Sequence, residues 1–298
     1  MVGRIEKTSP AGAARRCREV RDSGGTVGFV PTMGALHRGH LALVERSVRE
    51  NDLAVVSVFV NPLQFDDPRD LAAYPRDFEG DAAALESVGC GVVFTGAFDE
   101  FFPDGPPATV EPGAAARGLE GAKRPGHFAG VATIVSRLFE LVRPSRAYFG
   151  QKDFQQCLVV RDLAQRSTAG PQIELCPTER EPDGLALSSR NARLDAGQRE
   201  RALWLSRSLA RAHARWAAGE RGPAILEAAL LDDLADGPFD EVEYGAVRDP
   251  ERWTAETPDF ELRGARALVA ARIGGVRLID NLALDGALPR ELRGVPVP

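Results

Sequence analysis

Phe29-Val-Pro-Thr-Met-Gly-Ala-Leu-His-Arg-Gly-His40 is the stretch on which the reading of the fold turns. A strand-like apolar run, Val27 to Val30, leads into it. A helix-like apolar pattern (Leu41, Leu43, Val44, Val48) leads out. His37 and His40 therefore occupy a strand-to-helix turn, with Gly34 and Gly39 beside them. Such a turn offers main-chain N–H groups and the positive end of a helix, a setting that suits a phosphate. Glycine permits close approach of the backbone, and imidazoles add hydrogen bonds or positive charge. The alternatives are a histidine helix cap and a zinc site; against zinc, no cysteine or carboxylate cluster of suitable spacing follows.

Working outward, strands and helices alternate. Ser9-Pro10 reads as an N-cap with proline in the first turn, and Gly24-Gly25 ends that helix. Strands are expected at residues 26–30, 53–60, 91–94, 147–149 and 172–176, and helices at 39–50, 77–88, 128–142 and 154–165. Residues 53–60 (LAVVSVFV) read as a strand buried on both faces. Alternation of this kind implies βαβ units and a parallel sheet, whose ligands bind beyond the carboxyl ends of the strands. Residues 102–112, rich in proline and glycine, read as a loop. The pattern changes near Thr178. Helices are expected at 196–217 and 223–234, and strands at 241–247, 267–273 and 276–284, with Gly274-Gly275 as a two-residue hairpin turn. The fold class is therefore α/β: a parallel-sheet domain over residues 1–178 and a smaller α+β domain over residues 179–298.

Composition narrows the function. At 298 residues, 44% hydrophobic and 27% charged, the chain can bury a sizeable core of ordinary globular type. A formal net charge of −6 and the lack of a basic, aromatic-rich stripe argue against a nucleic-acid partner, so any phosphate site is local. No stretch reads as a signal peptide or a bilayer span, so no membrane association is expected. Cys17, Cys90, Cys157 and Cys176 are widely spaced without a CxxC pattern, as expected of reduced thiols in a cytoplasmic protein.

Further polar clusters stand at the ends of the expected strands. In Asn61-Pro-Leu-Gln64-Phe65, the two amides suit a small polar ligand with hydroxyl and carboxylate groups, or the segment simply ends a strand. Arg124-Pro-Gly-His127-Phe-Ala-Gly130 sets a third histidine before the long apolar helix, where a cap or loop role is the alternative. Gly150-Gln-Lys152-Asp153-Phe-Gln-Gln156 is another strand-to-helix turn. Lys152, a rare lysine in an arginine-rich chain, would neutralise charge on a transferring phosphoryl group, or sit in solvent at a helix start. Gln156 would reach the same cavity as Gln64. Asp183-Gly-Leu-Ala-Leu-Ser188-Ser189-Arg190-Asn191 offers hydroxyls and a guanidinium to a triphosphate, or a plain N-cap loop. No GxSxG elbow makes either serine a hydrolase nucleophile. Asp77 and Asp81 share a helix face. Magnesium held mainly by phosphates needs only one or two such carboxylates, while a solvated acidic face is the plainer reading.

Together these stretches resemble the pantoate–β-alanine ligase family over nearly the whole chain. PTMGALHRGH is similar to the family's PTMGxLHxGH, FVNPLQF to its FVNPxQF and DLAAYPRD to its DLxxYPR. RPGHFAGVATIV, GQKDFQQ and DGLALSSRN follow in the family's order and spacing. The resemblance implies a Rossmann-like first domain, a C-terminal domain acting as a lid, and a homodimer. It implies ATP-dependent condensation of pantoate with β-alanine: the pantoate carboxylate attacks the α-phosphorus of Mg-ATP, and the β-alanine amine then attacks the resulting adenylate. Met33, Gly34, His37 and His40 would line the ATP site, with His40 as proton donor or charge stabiliser. His37, Lys152, Ser188, Ser189 and Arg190 would hold phosphates, and His37, His40, Lys152 and Arg190 form the catalytic set. Gly150, Gln151, Asp153, Glu179 and Leu187 would complete the nucleotide pocket. Gln64 and Gln156 would bind pantoate, Gln64 also lying near β-alanine, and Asn61, Arg124 and His127 would join them on the substrate side. Asp81 matches a carboxylate that holds Mg2+.

Departures are few. Gln151 stands where the family usually has glutamate, which removes a charge beside Lys152. Glu179 stands where an apolar residue usually lines the nucleotide pocket; its backbone can still contact adenine, but a carboxylate there is expected to weaken ATP binding. Two rival readings share the histidine turn. Another nucleotidyltransferase would not need both glutamines, and a non-catalytic nucleotide sensor would bind ATP without releasing pyrophosphate.

Overall fold

The alternating periodicities of the sequence appear as alternating strands and helices. The computed structural model describes residues 4–65, 68–168 and 170–293. In chain order the elements are β1 (Glu6–Thr8), α1 (Pro10–Asp22), β2 (Val27–Thr32), α2 (Arg38–Glu50), β3 (Leu53–Val58), α3 (Pro68–Ala73), α4 (Phe78–Ser87), β4 (Val92–Phe94) and α5 (Phe98–Phe101). There follow α6 (Leu119–Lys123), α7 (His127–Val142), β5 (Arg146–Gly150), α8 (Phe154–Arg166), β6 (Gln172–Cys176), α9 (Ala196–Ala217), α10 (Pro223–Ala235), β7 (Glu241–Arg248), β8 (Arg266–Ile273) and β9 (Val276–Ala283). The chain divides into two units. One is built from residues up to 116, 124–151 and 155–177; the other from 117–123, 152–154 and 178 onward.

The first unit holds a parallel sheet of six strands in the order β1-β4-β3-β2-β5-β6. Alternate residues of each strand serve opposite faces. Val27, Phe29, Val55, Ala147 and Phe149 join a core with α1, α7 and α8, while Val30, Val56, Val58 and Tyr148 join another with α2 and α4. The strand order reverses at β2. β2 and β3 pair continuously from Val27↔Leu53 to Thr32↔Val58. β2 and β5 pair only at Gly28↔Arg146 and Phe29↔Ala147.

Proline explains the difference. The carbonyls of Thr26 and Thr32 accept from β3-side amides, while that of Val27 accepts from Ser145 before β5, so the odd-numbered residues 27, 29 and 31 face β5. Pro31 has no N–H to give, and the ladder to β5 stops. β2 nevertheless runs on to Thr32, past the expected end at residue 30, because Val30 and Thr32 face β3. β3 ends at Val58, two residues short of expectation, where the Phe59 amide closes on the Thr32 carbonyl at 3.0 Å.

The second unit pairs β7, β8 and β9 as an antiparallel meander, with Gly274-Gly275 forming the expected turn between β8 and β9. Leu203, Leu205 and Leu209 of α9 and Leu226, Leu230 and Leu234 of α10 form one core with Val269, Ile273 and Leu278 of the sheet. Asp195 and Gln198 cap α9 reciprocally.

Tyr148 is fully buried; its hydroxyl accepts from Asn51 Nδ2 at 2.7 Å and donates to Glu50 Oε2 at 3.0 Å. Tyr148→Phe removes one of the two acceptors of Asn51 Nδ2, the Ser47 carbonyl remaining, and should cost about 1–2 kcal/mol. A thermal melt should fall by several degrees; an unchanged melt would mean the hydroxyl contributes nothing.

Candidate active site

The turn after β2 is strained and is held from outside. Gly34 has φ +83° and Ala35 φ +52°. A left-handed alanine costs roughly 1–2 kcal/mol, and a Cβ at Gly34 would sit 2.8 Å from Asp81 Oδ2 and 3.0 Å from Val58. The Asp81 carboxylate, from α4, accepts the amides of Ala35 at 2.9 Å and Leu36 at 2.8 Å. These charge-assisted bonds offset the strain. Asp81 is 6% exposed, and burial pushes its pKa above the usual carboxylate value against the lowering pull of the two amides. In this structure both oxygens face the turn, where they act as its anchor. Among the described residues no group of three or more His, Cys, Asp or Glu side chains can hold a metal.

His37 and His40 form a reciprocal cap on α2. His37 Nδ1 accepts the Gly39 amide at 3.2 Å, and His40 Nδ1 accepts the His37 amide at 3.4 Å. The rings stack with centroids 4.1 Å apart. With Nδ1 accepting, each neutral ring carries its proton on Nε2, the tautomer being assigned from these bonds. The cap reading left open by the sequence is thus realised, and it orients each ring as an Nε2–H donor.

Gln64 is the best-held side chain of the site. A short 3-10 turn, Pro62–Gln64, is capped by Asn61, whose Oδ1 accepts the Leu63 amide at 3.2 Å. Asn61 Nδ2 donates to Gln64 Oε1 and to the Gly130 carbonyl, each at 3.2 Å. Gln64 Nε2 donates to Met33 Sδ, joining the amide to the histidine turn. The Gln64 carbonyl accepts His127 Nδ1 at 2.8 Å and Arg124 Nη2 at 3.2 Å, while Arg124 Nη1 lies 3.1 Å from His127 Nε2. With the arginine donating to Nε2, the His127 proton is on Nδ1. Asn61 is only 1% exposed and its amide is spent on protein partners. Asn61, Arg124 and His127, expected on the substrate side, bond to Gln64 in this structure.

After β5 the space beside Gly150 is open: a Cβ there would meet nothing within 4 Å. Its carbonyl accepts the Cys157 thiol at 3.3 Å. Gln155, 2% exposed, ties α8 to the Ala115 carbonyl, whereas Gln156 is half-buried and has no side-chain hydrogen bond among the described residues. Gln151 is likewise half-buried. In the second unit, Lys152 is 19% exposed with Nζ 3.6 Å from Asp153. Glu179 is exposed, and its carbonyl accepts the Leu187 amide at 3.0 Å. Ser188 caps the short turn Ser189–Arg193 by accepting the Arg190 amide at 3.3 Å.

A family model described as pantoate-beta-alanine ligase matches residues 6–283. The chain belongs to the pantoate–β-alanine ligase family. It is 47% identical to a pantothenate synthetase of Mycolicibacterium smegmatis over 97% of this chain and 90% of that one. It is 45% identical to that of Herpetosiphon aurantiacus over 90% and 96%. A crystal structure of pantothenate synthetase from Thermus thermophilus superposes with TM-score 0.84 at 44% identity, covering 94% of this chain and 99% of that chain. A pantoate-beta-alanine ligase from Francisella tularensis, complexed with beta-gamma ATP and beta-alanine, superposes with TM-score 0.73 at 31% identity over 95% and 99%. Like its family, this chain is an ATP-dependent ligase joining pantoate to β-alanine.

Gly130, passed over in the sequence except as the end of a motif, matters to this ligase through close approach. A Cβ there would lie 2.0 Å from the Leu63 carbonyl oxygen and 2.8 Å from the Gln64 nitrogen, so α7 meets the turn backbone to backbone. Its signal was a glycine one turn into an otherwise apolar helix. Gly130→Ala must displace Gln64, and kcat/KM for pantoate should fall about tenfold or more. Pantoate saturation kinetics and a melt test this; unchanged kinetics with a lower melting temperature would confine Gly130 to packing.

Proposed function

We propose that this ligase works in two half-reactions. The pantoate carboxylate attacks the α-phosphorus of ATP, the bond to the bridging oxygen breaks, and pyrophosphate leaves. The β-alanine amine then attacks the carbonyl of the mixed anhydride, giving pantothenate and AMP. Transfer of this kind rests on positioning and on stabilising charge rather than on covalent chemistry by the protein. His37 and His40 present Nε2–H donors at the positive end of α2 for the phosphate oxygens, and His40 acts where charge develops at the α-phosphorus. Gln64 and Gln156 bind pantoate, and Gln64 also orients β-alanine. Met33, Gly34, Gly150, Gln151, Asp153, Glu179 and Leu187 are assigned to the nucleotide, and Lys152, Ser188, Ser189 and Arg190 to its phosphates. ATP is taken as its magnesium complex, the ion held by phosphate oxygens rather than by a protein cage.

One observation supports this reading above the others: the Gln64 amide is fixed at both of its ends, by Asn61 and by Met33 of the histidine turn. A pre-oriented amide joined to a phosphate-type turn suits a polar carboxylate substrate brought to a nucleotide. The same reading takes the protein as a cytoplasmic homodimer; its four cysteines are free and buried, as suits a reducing compartment.

Pyrophosphate release tests the proposal. With ATP, magnesium and pantoate alone, a burst stoichiometric with enzyme is expected, and adding β-alanine should give steady turnover with AMP. Folded protein that binds ATP but releases no pyrophosphate under either condition would favour a nucleotide sensor.

A further inference from the structure

Within β9 (Val276–Ala283), two adjacent polar residues, Asp280 and Asn281, stand between Leu278-Ile279 and Leu282-Ala283. Both are nearly inaccessible, at 4% and 3% exposure. Each grips a different piece of chain. Asp280 takes Arg180 in a bidentate pair at 2.6 and 2.8 Å, the two side chains 2% and 3% exposed. Arg180 also donates to the carbonyls of Gly184 at 3.0 Å and Asn281 at 3.2 Å. It thereby fixes the small hairpin closed by the Arg180↔Ala186 bridge, which leads directly into Leu187 and Ser188. Asn281 Nδ2 donates to the main-chain carbonyl of Lys152 at 2.8 Å. Its Oδ1 accepts Arg266 Nη1 at 2.5 Å, and the Arg266 guanidinium lies over the Phe154 ring, 4.1 Å from its centroid.

The orientation of Asn281 is unambiguous. A guanidinium is a donor only, so the amide oxygen must face Arg266 and the amide nitrogen must face Lys152. Desolvating these groups is unfavourable, and well-packed apolar residues would hold a core at least as well. What apolar residues cannot do is fix a carbonyl and a guanidinium in chosen directions. We infer that Asp280 and Asn281 are positioning residues for the ligase reaction, Asn281 setting Lys152 and Asp280 setting the hairpin that carries the serine segment. This rests on the assignment of Lys152 to the phosphates.

Asn281→Asp is the direct test. It keeps an oxygen for Arg266 and the side-chain volume, but sets an oxygen against the Lys152 carbonyl in place of the donor. The rate of pyrophosphate release with ATP and pantoate should fall about 10- to 100-fold. In a Lys152→Ala background the same substitution should change the rate less than about twofold, since a residue acting through Lys152 has nothing left to position. Losses that multiply in the double variant, or a near wild-type rate in Asn281→Asp, would overturn the inference. If Asn281→Asp does not fold, Arg266→Met, which keeps apolar contact with Phe154 while freeing the Asn281 amide, enters the same cycle. Wild-type enzyme runs in parallel, and its failure to release pyrophosphate would count against the proposed reaction instead. In that event hydrogen exchange over residues 152–156 reads the tether without reference to activity: faster exchange in Asn281→Asp supports it, and unchanged exchange overturns it.

Discussion

The structure of the first unit depends on one missing hydrogen-bond donor. Pro31 stands where β2 would next donate to β5, and the ladder between them ends after the Phe29↔Ala147 pair. A proline in a central strand is ordinarily a defect. Here it falls where the strand order reverses, so that the carboxyl ends of β2 and β5 part while β2 stays fully paired to β3. The chain leaving β2 enters the histidine turn, and the chain leaving β5 enters Gly150-Gln151. A ligand site at a parallel-sheet switch point follows from that topology.

The polar residues around this opening mostly support one another. Asp81 holds the left-handed Ala35 and its neighbour Leu36, His37 and His40 cap the helix they begin, and Asn61, Arg124 and His127 immobilise Gln64. Such pre-organisation means that these side chains need little rearrangement to keep their orientation. It also explains why the segment 61–64 and the start of α7 must approach so closely: the Gln64 carbonyl can accept from His127 only if no side chain stands between the two backbones at Gly130.

Long apolar elements were legible in the sequence because their periodicity is strong. β2 and β3 announce themselves by apolar runs, α2 and α7 by apolar residues at helical spacing, and Gly274-Gly275 by its turn chemistry. β1, a polar edge strand of three residues, and the short helices α3, α5 and α6 offer too few positions for any period to show. The location of the histidine turn was legible for the same local reason. The duties of Arg124 and His127 were not, because they depend on a contact with Gln64 some sixty residues away in sequence. Asp81 misled in another way: its spacing from Asp77 reads as an exposed acidic face, yet α4 turns it inward beneath Ala35 and Leu36.

The central claim is that pantoate is activated by attack of its carboxylate on the α-phosphorus of ATP. Pantoate labelled with 18O in its carboxylate, turned over with ATP and β-alanine and followed by mass spectrometry, tests this directly. The account predicts that one labelled oxygen passes from each pantoate into AMP. Unlabelled AMP, or label appearing in inorganic phosphate alongside ADP, would contradict it.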